Sequence, residues 1–262
     1  MDWQITCLIF KQHTTNNIIF LFFVLRHLYI MIHCIYHWHS FVQIQSDQGD
    51  ILIDPYITDN PQCDVTLDQV LQYNIRAICL SHGHHDHLWD TVSICAKIPQ
   101  IPVIAIVELC EYLKQKGVWL THAINVWWSF KLWIDTDIKY LKAENTNSTP
   151  EGGYAGIACS ILMHIWTKTI YHAGDTALHS DMKLLGDMEK IDCAFMPIWD
   201  RYTMWASDSI IATGWIKPKI VVPIHYNTRP SIRVNELERA THIMQDNIAT
   251  PKVLHPGQYI IL

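Results

Sequence analysis

The heptapeptide SHGHHDH at residues 81–87 decides the fold of this chain, because it places four histidines and one aspartate within seven residues. It follows the apolar run of residues 77–80, which is typical of a buried strand, and a helical pattern comes after it. The ends of strands are where α/β proteins place reactive side chains. Imidazole and carboxylate groups bind divalent metals. The heptapeptide therefore predicts a metal site rather than a solvated histidine-rich loop.

The order of residues within the heptapeptide divides it between two ions. Alternation along an extended segment points the rings of His82 and His84 in the same direction. Asp86 and His87 follow and can face a second ion. His85 lies between the two groups and is expected to point away.

The composition of the chain disfavours two classes of protein, those that bind nucleic acid and those that depend on disulfides. A chain of 262 residues, 50% of them hydrophobic, can form one large domain or two small ones. A formal net charge of -6, without a run of Lys or Arg, disfavours a protein that binds nucleic acid. Eight cysteines without a CxxC pair indicate reduced, mostly buried thiols in a chain that is large enough to fold without disulfides.

Residues 1–30 form an N-terminal extension that differs from the rest of the chain. Residues 18–25 are continuously apolar, but Arg26 and His27 interrupt the run before it is long enough to span a membrane. A basic region and a small-residue cleavage site are missing, which disfavours a secretory signal. Two alternatives stay open: the extension anchors the protein in a membrane, or Met31 is the true start of a cytoplasmic protein. We expect one domain over residues 31–262.

Short apolar runs alternate with amphipathic stretches from residue 35 onward. The pattern predicts strands over 41–45, 51–54, 77–81, 102–107, 157–165, 168–172, 191–197, 220–225 and 259–262, with strand-like alternation over 131–142. It predicts helices over 67–73, 90–97, 181–188, 207–216 and 235–246, and one more that ends at Gly117. The class is therefore α/β with abundant strand.

The heptapeptide also carries a resemblance to a known family. HxHxDH after a strand resembles the signature of the metallo-β-lactamase fold, and three segments stand in the order that this superfamily shows: ILIDPY at 51–56, YHAGDT at 171–176 and PIHYNT at 223–228. More narrowly, residues 172–186 and 194–227 are similar to bacterial metal-dependent hydrolases of unassigned substrate that are related to L-ascorbate-6-phosphate lactonases. The resemblance begins near residue 32 and implies a four-layer αββα sandwich.

The resemblance implies a site of two metal ions. It places His82 and His84 on one ion, Asp86 and His87 on the other, Asp175 as a bridge, and His225 as the last ligand of the second ion. Asp175 and His225 each follow a predicted strand, as ligands of such a site do. Asp54 is expected to orient a ligand histidine, and His39 resembles part of a GHS element near the family's site. The remaining histidines of the domain are expected to be structural or on the surface: His122, His164, His172, His179, His242 and His255.

Asn145 departs from the family pattern. The family's third histidine of the first site lies in an Ala-x-His-Ser-Ser segment, and the matching residues here are AENTNS at 143–148. An amide oxygen is a neutral ligand that suits hard ions better than zinc. We expect two divalent ions, zinc first with manganese or iron as alternatives, but fewer than two equivalents of tightly held zinc. Glu144 could replace the missing histidine by a small shift.

Tryptophan stands at eight positions where the family's glycines are expected: Trp38, Trp89, Trp127, Trp128, Trp133, Trp166, Trp199 and Trp205. A large side chain in place of glycine overpacks the core or strains the backbone, at roughly 1 to 3 kcal/mol for each change. Together these changes would rival the about 5 to 15 kcal/mol that stabilises a domain. We hypothesise that UGA codons, decoded as glycine in the source organism, have been read as tryptophan. If the residues are real, Trp38, Trp89 and Trp199 are expected to crowd the mouth of the site.

The expected activity is hydrolysis of a small ester, lactone or phosphoester by a hydroxide whose pKa the two ions lower. Asp86 or Asp175 would orient this nucleophile and carry its proton. Two alternatives stay open. One is a nuclease of the same fold, which would need a basic face or an exosite insertion. The other is a degenerate, non-catalytic metal-binding protein, which Asn145 and the tryptophans suggest. The expected partner is a small molecule and not nucleic acid. Membrane contact depends on residues 1–30, and homo-oligomer formation is left open.

Overall fold

The computed structural model describes residues 31–226 and 234–262, so the expectations for residues 1–30 lie outside the described residues. The described chain contains two mixed sheets. The first consists of β1 (His33–Tyr36), β2 (Val42–Ser46), β3 (Gly49–Ile53), β4 (Ile75–Cys79), β5 (Val103–Ile106), β6 (Thr121–Ile124) and β14 (Tyr259–Ile261). The second consists of β7 (Ser129–Trp133), β8 (Thr136–Lys142), β9 (Cys159–Ile165), β10 (Lys168–His172), β11 (Cys193–Pro197), β12 (Ile220–Ile224) and β13 (Thr250–Pro251).

The strand order is β14-β1-β2-β3-β4-β5-β6 in the first sheet and β13-β12-β11-β10-β9-β8-β7 in the second. Strands β3 to β6 run parallel to one another, and so do β10 to β13. The remaining pairs are antiparallel. Every residue of β3 and of β11 is buried, as expected for strands covered on both faces.

Helices flank the two sheets. They are α1 (Leu67–Val70), α2 (His85–Lys97), α3 (Val107–Gln115), α4 (Asp181–Met188), α5 (Ala206–Ile216) and α6 (Val234–Asn247). Helix α3 packs on β5 and β6, whereas α5 packs on β11 and α6 on β13. Within the described ranges, no helix is long and apolar enough to cross a membrane.

The apolar core has two parts. One lies between the sheets, where Ile44 and Ile78 of the first sheet belong to the same buried cluster as Ile161 and Phe195 of the second. The other lies between the second sheet and its helices, and contains Leu185, Ile216 and Met244. The seven cysteines of the described part are free thiols, and all but Cys63 are buried. The predicted α/β class and the four-layer αββα sandwich are confirmed.

Helix α2 begins earlier than the sequence pattern predicts. We expected it to start at residue 90, but it starts at His85, so that Asp86 and His87 occupy its first turn. The polar residues of that turn carry no apolar periodicity from which a helix could be inferred. The turn is stabilised by the carboxylate of Asp86, because a negative charge is favourable at a helix N-terminus. Strand β6 was also missed, because His122 interrupts its short apolar run.

The structure divides the eight tryptophans into two groups. Trp38, Trp127 and Trp166 have φ angles of 87°, 69° and 55°, in the left-handed region that favours glycine, and the other five have ordinary angles. Of the three expected to crowd the site, only Trp199 lines the cavity there. Trp89 lies against the exposed ring of His85, and Trp38 packs in the core beside Tyr226.

Candidate metal centre

The residues of the candidate centre lie at one edge of the paired sheets. Each follows the carboxyl end of a strand: His39 follows β1, Asp54 β3, His82 β4, Asn145 β8, Asp175 β10 and His225 β12. Two backbone hydrogen bonds join the sheets at this edge. Cys159 N donates to Ser81 O at 2.9 Å, and His225 N donates to His39 O at 2.9 Å. Residues that are distant in sequence therefore converge here.

The heptapeptide turns from β4 into α2 at the centre of this edge. His82 is fully buried, and its Nε2 lies 3.0 Å from Nδ1 of His84. His85 points outward, where its Nε2 lies 3.1 Å from Oδ2 of the exposed Asp59. The heptapeptide thus turns three of its four histidines and Asp86 toward the centre.

Asp175 lies between the histidines of the heptapeptide and His225. Its Oδ1 is 3.4 Å from Nε2 of His87, and its Oδ2 is 3.1 Å from Nε2 of His225. The same Oδ2 lies 4.0 Å from Nε2 of His82. One buried carboxylate therefore faces both groups of histidines, which is the position that a bridging ligand requires.

Four buried polar atoms of the centre have no hydrogen-bond partner among the residues that the structure describes: Nε2 of His87, Nδ1 and Nε2 of His225, and Oδ1 of Asp175. A buried polar atom without a partner costs about 1–3 kcal/mol, and native proteins contain few of them. In addition, four side chains each offer one atom that could bind a metal, and these atoms lie within 4.8 Å of one another: His39, Asp86, His87 and His225. The arrangement fits a divalent cation that accepts these lone pairs.

Asp54 contacts predicted ligands on both sides of the centre. Its Oδ2 lies 2.8 Å from Nδ1 of His87 and accepts a hydrogen bond of 2.6 Å from the hydroxyl of Ser81. That hydroxyl oxygen lies 2.9 Å from Nδ1 of His82. With Nδ1 of each ring engaged as a donor, Nε2 is the atom that the neutral ring of His82 or His87 would present to a metal.

His39 contacts the second group of predicted ligands. Its Nε2 lies 3.1 Å from Oδ2 of Asp86, and its ring centroid is 3.9 Å from that of His225. His39 and His225 both have positive φ, at 59° and 57°. Strained backbone of this kind persists where the surrounding structure holds it, and it clusters at functional sites. The geometry suits a residue that orients Asp86.

Burial and neighbouring charges set the ionisation of the centre. Burial and the nearby His87 lower the pKa of His82 to about 3, and burial with a neighbouring imidazole lowers the pKa of His39 to about 4. Burial also opposes a charge on His87, but Asp175 and Asp54 outweigh it and hold the pKa of His87 well above its usual value. Burial alone would raise the pKa of Asp175, yet the adjacent histidines hold it well below its usual range. Asp175 is therefore ionised, and a negative carboxylate favours the binding of a cation.

Asn145 lines a cavity of about 290 Å³ that opens over the centre. The other lining residues are His84, Asp86, Thr146, Asp175, Trp199, Tyr202 and His225. Glu144 does not stand in the place of the missing histidine in this structure. The carboxylate of Glu144 pairs with Lys142, is exposed and does not line the cavity.

Two residues with a structural role at the centre were missed from the sequence. The hydroxyl of Ser81 connects Asp54 to His82. The side chain of Asn147 accepts a hydrogen bond of 2.7 Å from Gly83 N and donates one of 2.8 Å to Ala155 O. It therefore holds the turn between His82 and His84. Its only sequence signal is its place two residues after Asn145.

Comparisons with known proteins agree with this geometry. Residues 50–226 match the sequence profile of the Beta-lactamase superfamily domain. A UPF0173 metal-dependent hydrolase of Anoxybacillus flavithermus is 46% identical over 202 residues, which cover 76% of this chain and 87% of the relative. Another, from Bacillus cereus, is 40% identical over 235 residues, which cover 87% of this chain and 98% of the relative.

The fold is also similar to that of a solved structure. Igni18, a metallo hydrolase from the hyperthermophilic archaeon Ignicoccus hospitalis, superimposes with a TM-score of 0.80 at 28% identity. The match covers 88% of this chain and 98% of Igni18. Sequence, fold and site lead to one conclusion: the chain belongs to the UPF0173 family of metal-dependent hydrolases in the β-lactamase superfamily.

Proposed function

We propose that this metal-dependent hydrolase acts on a small ester, lactone or phosphoester with two divalent ions, zinc in the first place, at the centre around Asp175. The observation that carries the proposal is the convergence on Asp175. Its two oxygens face His87 and His225 at 3.4 and 3.1 Å, and His82 lies at 4.0 Å. A carboxylate in this position can touch two ions at once.

The side chains of the centre would hold the two ions and orient the attacking water. His82 and His84 would hold one ion, and Asp86, His87 and His225 the other. Bound divalent ions supply Lewis-acid chemistry, lowering the pKa of a water and polarising the bond that is attacked. Asp86 is held by His39 at one oxygen and lines the cavity, so its other oxygen can orient the attacking water.

The cavity supports a small substrate. Its volume of about 290 Å³ is at the lower end of the range for small-molecule sites. Asn145 and Thr146 add neutral hydrogen-bonding groups to its wall. These groups can orient an ester or lactone oxygen without an added charge.

Turnover of a panel of lactones, esters and phosphoesters by the metal-loaded protein tests the proposal. We expect hydrolysis of at least one class, and its loss in Asp86→Ala. Asp59→Ala removes an exposed carboxylate that contacts the outward-pointing His85 and serves as the matched control, with activity unchanged. Turnover that persists in Asp86→Ala would contradict the mechanism. Metal binding without turnover of any class would favour the non-catalytic alternative.

A further inference from the structure

His172 makes two hydrogen bonds that give it a more specific role than the structural or surface one expected from the sequence. It is the last residue of β10, it is 1% exposed, and its ring lies beside that of Phe195. Its Nε2 lies 2.9 Å from Ser40 O, and Gly174 N donates to its Nδ1 at 3.1 Å. A carbonyl oxygen only accepts and a backbone N–H only donates, so Nε2 carries the proton and Nδ1 carries the lone pair.

Both partners of His172 adjoin the metal centre. Ser40 follows His39, which contacts Asp86 through its side chain and receives the backbone hydrogen bond of His225. Gly174 precedes Asp175, and a Cβ on Gly174 would lie 2.9 Å from Cβ of Ser81. The turn that carries Asp175 is therefore tightly enclosed, and the ring of His172 spans from it to the loop that carries His39.

The two segments belong to different sheets. The loop with Ser40 connects β1 and β2 of the first sheet, whereas Gly174 follows β10 of the second. We propose that His172 is a positioning residue of the metal centre, which holds Asp175 at a fixed spacing from Asp86 by bonding Ser40 and Gly174 with one rigid ring. The inference rests on the metal centre of the proposed function.

Substitutions of His172 can remove its hydrogen bond to Ser40 and its hydrogen bond to Gly174 one at a time. In His172→Asn the amide oxygen can replace Nδ1 and accept from Gly174, but the bond to Ser40 is lost. In His172→Gln the amide nitrogen can replace Nε2 and donate to Ser40, but the bond to Gly174 is lost. His172→Phe removes both bonds with a ring of similar size. His164, on the neighbouring strand β9, lies within hydrogen-bond distance of the hydroxyl of Thr169 and provides the control variants His164→Asn, His164→Gln and His164→Phe.

Cobalt(II) titration against a competing chelator, followed by visible absorption, measures the affinity and ligand geometry without turnover. We expect His172→Phe to weaken cobalt binding about 10–100-fold, as loss of a group behind a ligand does. His172→Asn and His172→Gln should each show a smaller loss and an altered spectrum. The His164 variants should keep the affinity and spectrum of the unchanged protein.

Thermal melts of the metal-free variants separate positioning from folding. If His172→Phe does not fold, the Asn and Gln variants decide. Variants that lose stability but keep cobalt affinity and spectrum would overturn the inference. A protein whose cobalt affinity depends on His172 as described but that hydrolyses nothing would refute the proposed function and leave this inference standing. An unchanged protein that binds no metal would refute both.

Discussion

Oδ2 of Asp54 lies 2.8 Å from Nδ1 of His87, and both side chains are completely buried. Asp54→Asn removes the charge that orients this ring, and we expect it to weaken metal binding about 10–100-fold. Chelator competition measures the loss. Asp192→Asn is the matched control, because Asp192 is 8% exposed and bonds Thr169 N and Lys219. Equal affinities in the two variants would contradict the role of Asp54.

Ser81→Ala removes the hydroxyl between Asp54 and Nδ1 of His82. The ring of His82 then loses its orienting partner, so we expect metal affinity to fall about tenfold. Ser40→Ala is the control: Ser40 is equally buried, but its hydroxyl has no partner in the described part of the chain. Metal titration should show almost no change for Ser40→Ala. A similar loss in both variants would argue against the connection through Ser81.

Metal binding should release a proton from His87. Asp175 and Asp54 hold the pKa of His87 well above its usual value, so this ring is protonated at pH 7 in the metal-free protein. A metal binds the neutral ring, so affinity should rise about tenfold per pH unit until the pH passes the raised pKa. His82, with a pKa of about 3, contributes no proton. Calorimetry in buffers of different ionisation enthalpy should give at least one proton released, and a value near zero would contradict this assignment.

Asn145→His should increase the amount of zinc that the protein retains. An imidazole at this position of the cavity wall adds a ligand that zinc prefers to an amide oxygen. After dialysis, metal analysis should show fewer than two equivalents in the unchanged protein and about two in Asn145→His. Asn145→Ala should resemble the unchanged protein, because a neutral amide contributes little to zinc binding. Two full equivalents of zinc in the unchanged protein would contradict the expectation that Asn145 weakens one of the two zinc sites.

Trp127→Gly should stabilise the protein, whereas its neighbour Trp128→Gly should not. Trp127 has a φ of 69°, where a side chain costs about 1–2 kcal/mol that glycine avoids. The contact of Lys139 with its ring returns about 0.5 kcal/mol, so we expect a net gain of about 1 kcal/mol in the free energy of unfolding. Trp128 has an ordinary φ, and glycine there should cost about 0.5–1 kcal/mol. Urea denaturation compares the two variants.

The coding DNA tests the origin of these tryptophans. UGA codons at Trp38, Trp127 and Trp166, the three positions with positive φ, are expected if glycine is the residue that the source organism inserts. UGG at all of the tryptophan positions would end the hypothesis.

The strand-end position of the ligands could be predicted from the sequence, because an apolar run followed by a histidine or aspartate is a local pattern. The heptapeptide, Asp54, Asp175 and His225 all have this pattern. Ser81 and His172 could not be assigned in this way. Their partners depend on how the two sheets pack against each other, and no local pattern records that contact.

The start of α2 and the role of Asn147 show the same limit. The first turn of α2 is polar because Asp86 and His87 face the centre, so the apolar periodicity that marks a helix begins only later. Asn147 bonds Gly83 and Ala155, which are adjacent only in the folded chain.

The hydrogen bond from His172 to Ser40 joins residues that are 132 positions apart. Bringing such distant segments together has a high entropic cost, so contacts of this kind form late in folding. We therefore expect the centre to be completed late in folding, because its residues come from both sheets. A bound metal ion would then stabilise the folded protein without nucleating its folding. We expect removal of the metal by a chelator to speed unfolding and to leave the rate of folding almost unchanged.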